Sequence, residues 1–119
     1  MTPGQTIAII DDDPVMLELL QRTIPSRLEL PVLLFPGGES YLEFFGDRRP
    51  SIVLLDANLE GMSGLEVLAR IREKSSRLEL PVIFISGDSS SESMVTALES
   101  GANDYVVKPL DIPVLAARM

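Results

Sequence analysis

Residues 6 to 20 read TIAIIDDDPVMLELL: a short apolar run, three consecutive aspartates, a proline, then apolar residues at helical spacing. The run Ile7 to Ile10 is continuous rather than alternating, as a strand buried on both faces of a parallel sheet reads. Asp13 fits an N-cap with Pro14 at the first helical position, after which Met16, Leu19 or Leu20, and Ile24 recur with the period of a helix. The stretch therefore predicts strand, acidic turn, helix. Carboxylates crowded behind a buried strand repel one another and resist desolvation, so a cationic group is expected among them.

The same alternation continues outward. Apolar runs recur as PVLLF (31–35), IVLL (52–55), VIFI (82–85) and YVV (105–107). Helical patterns lie between them: Tyr41, Phe44 and Phe45; then Leu65, Leu68 and Ile71; then Met94, Ala97 and Leu98. Strand followed by helix, five times over, predicts a doubly wound α/β domain. The last segment, DIPVLAARM (111–119), reads as the opening of a fifth helix that stops short of a usual length. The expectation is one domain over residues 1–119, excised from a longer protein. SRLELPV occurs at 26–32 and again at 76–82, and the repeat is read as a reused helix-to-strand connection without function.

Composition narrows the chemistry. At 119 residues and 13.0 kDa the chain closes a single core. It contains no cysteine and no histidine, which excludes thiolate chemistry, disulfides, imidazole catalysis and most transition-metal sites. A net charge of −8 argues against direct contact with nucleic acid, which demands a basic face. The start, MTPGQTIAII, has no basic region ahead of its apolar run, so it reads as neither a signal peptide nor a membrane span, and the expected location is cytoplasmic.

In open parallel sheets the ligand crevice lies at the carboxyl ends of the strands. Those ends carry Asp11, Asp12 and Asp13; Asp56, Ala57 and Asn58; Ser86 and Gly87; and Lys108 and Pro109. Taken singly, these are ordinary: Asp13 is a cap, Asp11 and Asp12 are as much cap or solvated turn as ligand, Asp56 a loop residue, Ser86 a turn, Lys108 a surface lysine. Taken together, carboxylates for a hard cation, plus a hydroxyl and an ammonium for phosphate oxygens, point to magnesium and a phosphoryl group.

Four stretches, IAIIDDDPVMLELL, PSIVLLDANLEGMSGLEVLARIR, LPVIFISGDSS and SGANDYVVKPLD, resemble in order and spacing the receiver domain of two-component response regulators, across nearly the whole chain. The resemblance implies a flavodoxin-like (βα)5 fold with a five-stranded parallel sheet of order 2-1-3-4-5 and helices on both faces. It implies that Asp56 is the phosphoacceptor for a partner histidine kinase or phosphotransfer protein. Asp12, Asp56 and the carbonyl of Asn58 would ligate Mg²⁺, with Asp11 acting through a water. Lys108 would pair with Asp56 and then with a phosphoryl oxygen, to which Ser86 would also donate; Ser stands here where Thr is commoner. Tyr105 would turn inward as Ser86 moves toward the phosphate, the Lys108–Pro109 bond would be cis, and Asn58 and Asp88 would set the lifetime of the phosphorylated state. Gly61 and Gly64 would shape the turn into helix three and Gly101 would cap helix four. Output would pass to a C-terminal domain or a separate effector. Phosphorylation-dependent homodimerisation through helix four, strand five and helix five is a further option, although half of that face is missing here.

Two other readings compete with this one. Asp11 to Val15 also fits the Asp-x-Asp-x-Val opening of haloacid-dehalogenase-like phosphohydrolases, with Asp11 as nucleophile and Asp13 as acid/base, but only Asp111 is available for the acidic motif that family needs after its lysine. An unphosphorylated receiver-like docking module typically loses an acidic residue or the lysine, and this chain keeps them all.

Overall fold

Five parallel strands form one sheet in the order β2-β1-β3-β4-β5: β1 Ile7–Ile10, β2 Val32–Phe35, β3 Ile52–Asp56, β4 Val82–Ser86 and β5 Asp104–Val107. Between and after them run α1 Pro14–Leu28, α2 Gly38–Phe45, α3 Gly64–Lys74, α4 Ser91–Glu99 and α5 Ile112–Arg118. This computed structural model describes residues 6–28 and 30–119, with the side chains of all of these except 23–28, 112 and 116. The side chain of Ile24 and part of the first SRLELPV segment therefore lie outside what is described.

Each central strand is buried on both faces, as continuous Val, Ile and Leu runs require. On one face Ala8, Val53, Leu55 and Phe84 meet Tyr41 and Phe45 of α2, Leu68 and Ile71 of α3 and Ala97 of α4. On the other, Ile9, Leu54 and Ile83 meet Leu20 of α1 and Leu115 of α5. Helices thus cover both faces. Of the alternative pair on α1, Leu20 is the buried member and Leu19 is exposed. Phe44 and Leu65 also prove exposed, because a period of 3.6 locates the centre of an apolar stripe better than its edges; Val67 takes the buried place near the start of α3.

Local chemistry sets the connections. The Asp13 carboxylate accepts the Val15 N–H at 3.0 Å, capping α1 directly behind Pro14. Ser63 caps α3 by accepting the Glu66 N–H, and Ser90 caps α4 by accepting the Ser93 N–H. Gly61 has a φ of 76°, in the left-handed region that favours glycine. Helix α4 ends at Glu99, with Ser100 in the cap position and Gly101 (φ 119°) one residue later. The Lys108–Pro109 bond is cis.

At the amino ends of β4 and β5, Arg72 of α3 gathers two loops. Its guanidinium donates to the carbonyls of Gly101, Ser75, Ser76 and Leu80 and to Asn103 Oδ1, which also accepts the Val82 N–H. Arg77, in the second SRLELPV copy, donates to the Leu98 carbonyl at the end of α4. No helix among the described residues is long and apolar enough to cross a membrane.

Candidate functional site

The parallel sheet brings the ends of β1, β3, β4 and β5 to one edge. Asp11 and Asp56 are each 3% exposed, and together with Asp12 they present carboxylate oxygens that all lie within 4.8 Å of one another. Such an oxygen-only donor set suits a hard divalent cation. Lys108, in the loop after β5, places Nζ 3.1 Å from Asp56 Oδ1, supplying the cation that the aspartate run demands. The Lys108 N–H in turn donates to the Ser86 carbonyl at 2.8 Å, which fixes the lysine's loop to β4.

Each carboxylate is oriented by backbone. Asp11 Oδ1 accepts the Asp13 N–H at 2.9 Å, Asp12 Oδ2 accepts the Glu60 N–H at 3.0 Å, and Asp56 Oδ1 accepts the Asn58 N–H at 3.3 Å. The Asp12 contact ties the β1–α1 turn to the β3–α3 loop. Glycine makes the approach of α3 to this loop practicable: a Cβ on Gly64 would lie 2.6 Å from the Asp56 carbonyl oxygen and 2.7 Å from Ala57 Cα. Burial pushes the Asp11 carboxyl up to about 6, against the opposing hydrogen bond from Asp13, and the nearby charge of Asp56 pushes it in the same direction.

Ser86 is buried at the end of β4, and its Oγ accepts the Asp88 N–H at 3.0 Å. Beside it opens a cleft of about 380 Å³ lined by Asn58, Leu65, Ser86, Asp88 and Tyr105 among others. Tyr105 is buried: it is 7% exposed, its ring stacks on Phe84 with centroids 6.0 Å apart, and its hydroxyl donates to the Asp88 carbonyl at 2.6 Å. Sequence reasoning missed Ser93, whose hydroxyl donates to Asp88 Oδ2 at 2.5 Å, and the Glu60 N–H; neither lies in a strand-end motif.

Asp11, Asp12, Asp56, Asn58, Ser86, Tyr105 and Lys108 thus come to one edge. Asp13 and Asp111 do not join them: the Asp13 carboxylate caps α1, and Asp111 Oδ1 accepts the Val114 N–H in the first turn of α5. The two aspartates that a haloacid-dehalogenase-like reaction would use as acid/base and late acidic motif are occupied as helix caps.

Comparison with known proteins agrees. Residues 7–119 match the response regulator receiver domain family. The chain is 41% identical to the transcriptional regulatory protein CseB of Streptomyces coelicolor over 113 residues, covering 95% of this chain and 47% of that protein. It is 36% identical to the DNA-binding response regulator MtrA of Mycolicibacterium smegmatis, covering 99% of this chain and 50% of that one. The chain therefore spans about half the length of these curated relatives. Among solved structures, the BeF3-activated receiver domain of DrrB, from Thermotoga maritima, superposes with a TM-score of 0.80 at 34% identity, over 96% of this chain and 92% of that one.

Proposed function

Because the chain belongs to the response regulator receiver domain family of two-component systems, we propose that Asp56 accepts a phosphoryl group from a phosphohistidine on a partner kinase or phosphotransfer protein. The observation that carries this reading is the buried Asp56 carboxylate paired at 3.1 Å with Lys108 beside Asp11 and Asp12. In the transfer, a bond forms between phosphorus and an Asp56 oxygen as the phosphorus–nitrogen bond breaks, and its electron pair returns to the donor imidazole.

Transfer brings two anions together, so charge must be neutralised where it gathers. Lys108 moves its attraction from the Asp56 carboxylate to a phosphoryl oxygen, and the Ser86 hydroxyl donates to another. The oxygen donors of Asp11, Asp12 and Asp56, with the Asn58 carbonyl, fit Mg²⁺, which would supply further neutralisation of phosphoryl charge when bound. The domain promotes only its own phosphorylation and dephosphorylation. Asn58 and Asp88 line the cleft beside Asp56 and set the lifetime of the phosphoryl group; an unchanged dephosphorylation rate in the Asn58→Ala, Asp88→Ala double variant would remove that role.

Relatives named as transcriptional and DNA-binding regulators support an output through transcription, carried by a further domain or a separate effector, with the receiver in the cytoplasm. The test is intact-protein mass after incubation with acetyl phosphate and Mg²⁺. The expected result is a gain of one phosphoryl group that requires Mg²⁺ and disappears in Asp56→Asn. No gain in the wild type, and no stabilisation by beryllofluoride with Mg²⁺, overturns the reading in favour of a silent docking module.

A further inference from the structure

Asp88 is a node. Its N–H donates to Ser86 Oγ at 3.0 Å, its carbonyl accepts the Tyr105 hydroxyl at 2.6 Å, and its carboxylate accepts both the Ser90 N–H at 2.8 Å and the Ser93 hydroxyl at 2.5 Å. Residues 87–90, which link β4 to α4, are all exposed, and a Cβ on Gly87 would meet nothing within 4 Å. Apolar packing therefore does little to hold this loop. Its ordering cost must be offset by those hydrogen bonds, and the short bond from Ser93 to a carboxylate is of the charge-assisted, stronger kind.

From this geometry we infer that the Asp88 carboxylate and the Ser93 hydroxyl form a clasp that positions the Asp88 carbonyl for Tyr105, and so sets how far the tyrosine sits inward before any phosphoryl group arrives. Asp88 and Ser93 are positioning residues, acting on the switch through backbone. The side chain fastens the loop to the first turn of α4; the loop then offers Tyr105 its acceptor and Ser86 its donor. A buried tyrosine hydroxyl deprived of its acceptor is penalised, so loosening the clasp favours the ring turned out to water. Phosphorylation of Asp56 would then have to supply through Ser86 the bias that the clasp now supplies in advance. The inference rests on the receiver reading for its consequence and on the four hydrogen bonds for its mechanism.

The chain has two tyrosines, Tyr41 and Tyr105, so incorporation of 3-fluorotyrosine gives two ¹⁹F resonances. Tyr41 is buried against Phe35 and Phe45, on α2 and away from the clasp, and serves as an internal reference for folding. In Ser93→Ala the Tyr105 resonance should move toward that of free 3-fluorotyrosine while Tyr41 stays in place. Ser93→Thr, which keeps the hydroxyl, should restore it, and Asp88→Ala should reproduce the shift without touching Ser93. A Tyr105 resonance that stays put in both Ser93→Ala and Asp88→Ala, with Tyr41 unmoved, overturns the clasp. These comparisons need no phosphoryl group, whereas the acetyl phosphate mass gain tests the receiver reading alone, so either can fail without the other.

Discussion

Asp11 and Asp56, each 3% exposed, hold carboxylate oxygens within 4.8 Å of one another, and Lys108 is bonded to the second of them. Two buried like charges with one counter-charge make a site that favours either a proton or a metal ion.

The proton is the first to be tested. Burial raises the Asp11 carboxyl from 3.8 to about 6, so the folded protein binds that proton more tightly than the unfolded chain does. Its contribution to stability is complete below pH 3.8 and is lost as pH rises through about 6. In metal-free buffer, Asp11→Asn should therefore gain stability relative to wild type on going from pH 5 to 7.5, as read by urea unfolding. Mg²⁺ should bind more weakly below about pH 6, where it must displace the proton. Parallel pH profiles for the two proteins would contradict the assignment.

Lys108 is the second. Removing its ammonium takes away the only cation among the described residues that is ion-paired to Asp56. Lys108→Ala should slow phosphorylation by acetyl phosphate about 100-fold, the scale of losing one preorganised charge donor. It should also tighten Mg²⁺, since two cations beside one carboxylate repel. The mass-gain rate and an NMR titration with Mg²⁺ separate these effects, and an unchanged rate would deny Lys108 its role.

Asp56, Ser86 and Lys108 could be read from the sequence because each closes or follows an apolar run, and a parallel sheet delivers all such ends to one edge. The Asp13 cap could be read as well, because Pro14 marks the first helical position and the residue before it is the N-cap, where the Asp13 carboxylate accepts the Val15 N–H. The Glu60 N–H on Asp12 comes from a loop 48 residues away, with no periodicity to announce it. Side chains that bond to distant carbonyls leave no pattern either: Arg72 looks like one charged residue on a helix, and its partner Gly101 lies 29 positions on.

Gly64 should tolerate nothing larger. A Cβ there would meet the Asp56 carbonyl and Ala57 Cα at 2.6 and 2.7 Å, both of them backbone at the end of β3 and unable to rotate aside. Gly64→Ala should cost about 1–3 kcal/mol by urea unfolding, the range for overpacking, and should slow phosphorylation by displacing Asp56. By contrast Gly37→Ala, where a Cβ would meet nothing within 4 Å, should cost under about 1 kcal/mol. Equal losses for the two would show that the close approach of α3 to β3 is not what demands glycine at position 64.

Arg72 should matter to stability more than a partly exposed arginine usually does. Burial lowers the pKa of its guanidinium, yet the group is repaid by acceptors on two loops: the carbonyls of Ser75, Ser76 and Leu80 before β4, and that of Gly101 with the Asn103 side chain before β5. Arg72→Met keeps much of the apolar stem against Gly101 and strands these acceptors. A loss of about 2–3 kcal/mol is expected, the cost of leaving one or two buried carbonyls unpaired. Arg72→Lys should recover less than half of it, because one ammonium cannot reproduce a planar fork that reaches both loops at once. Full recovery with lysine would show that charge alone, rather than the geometry of the fork, holds the two loops together.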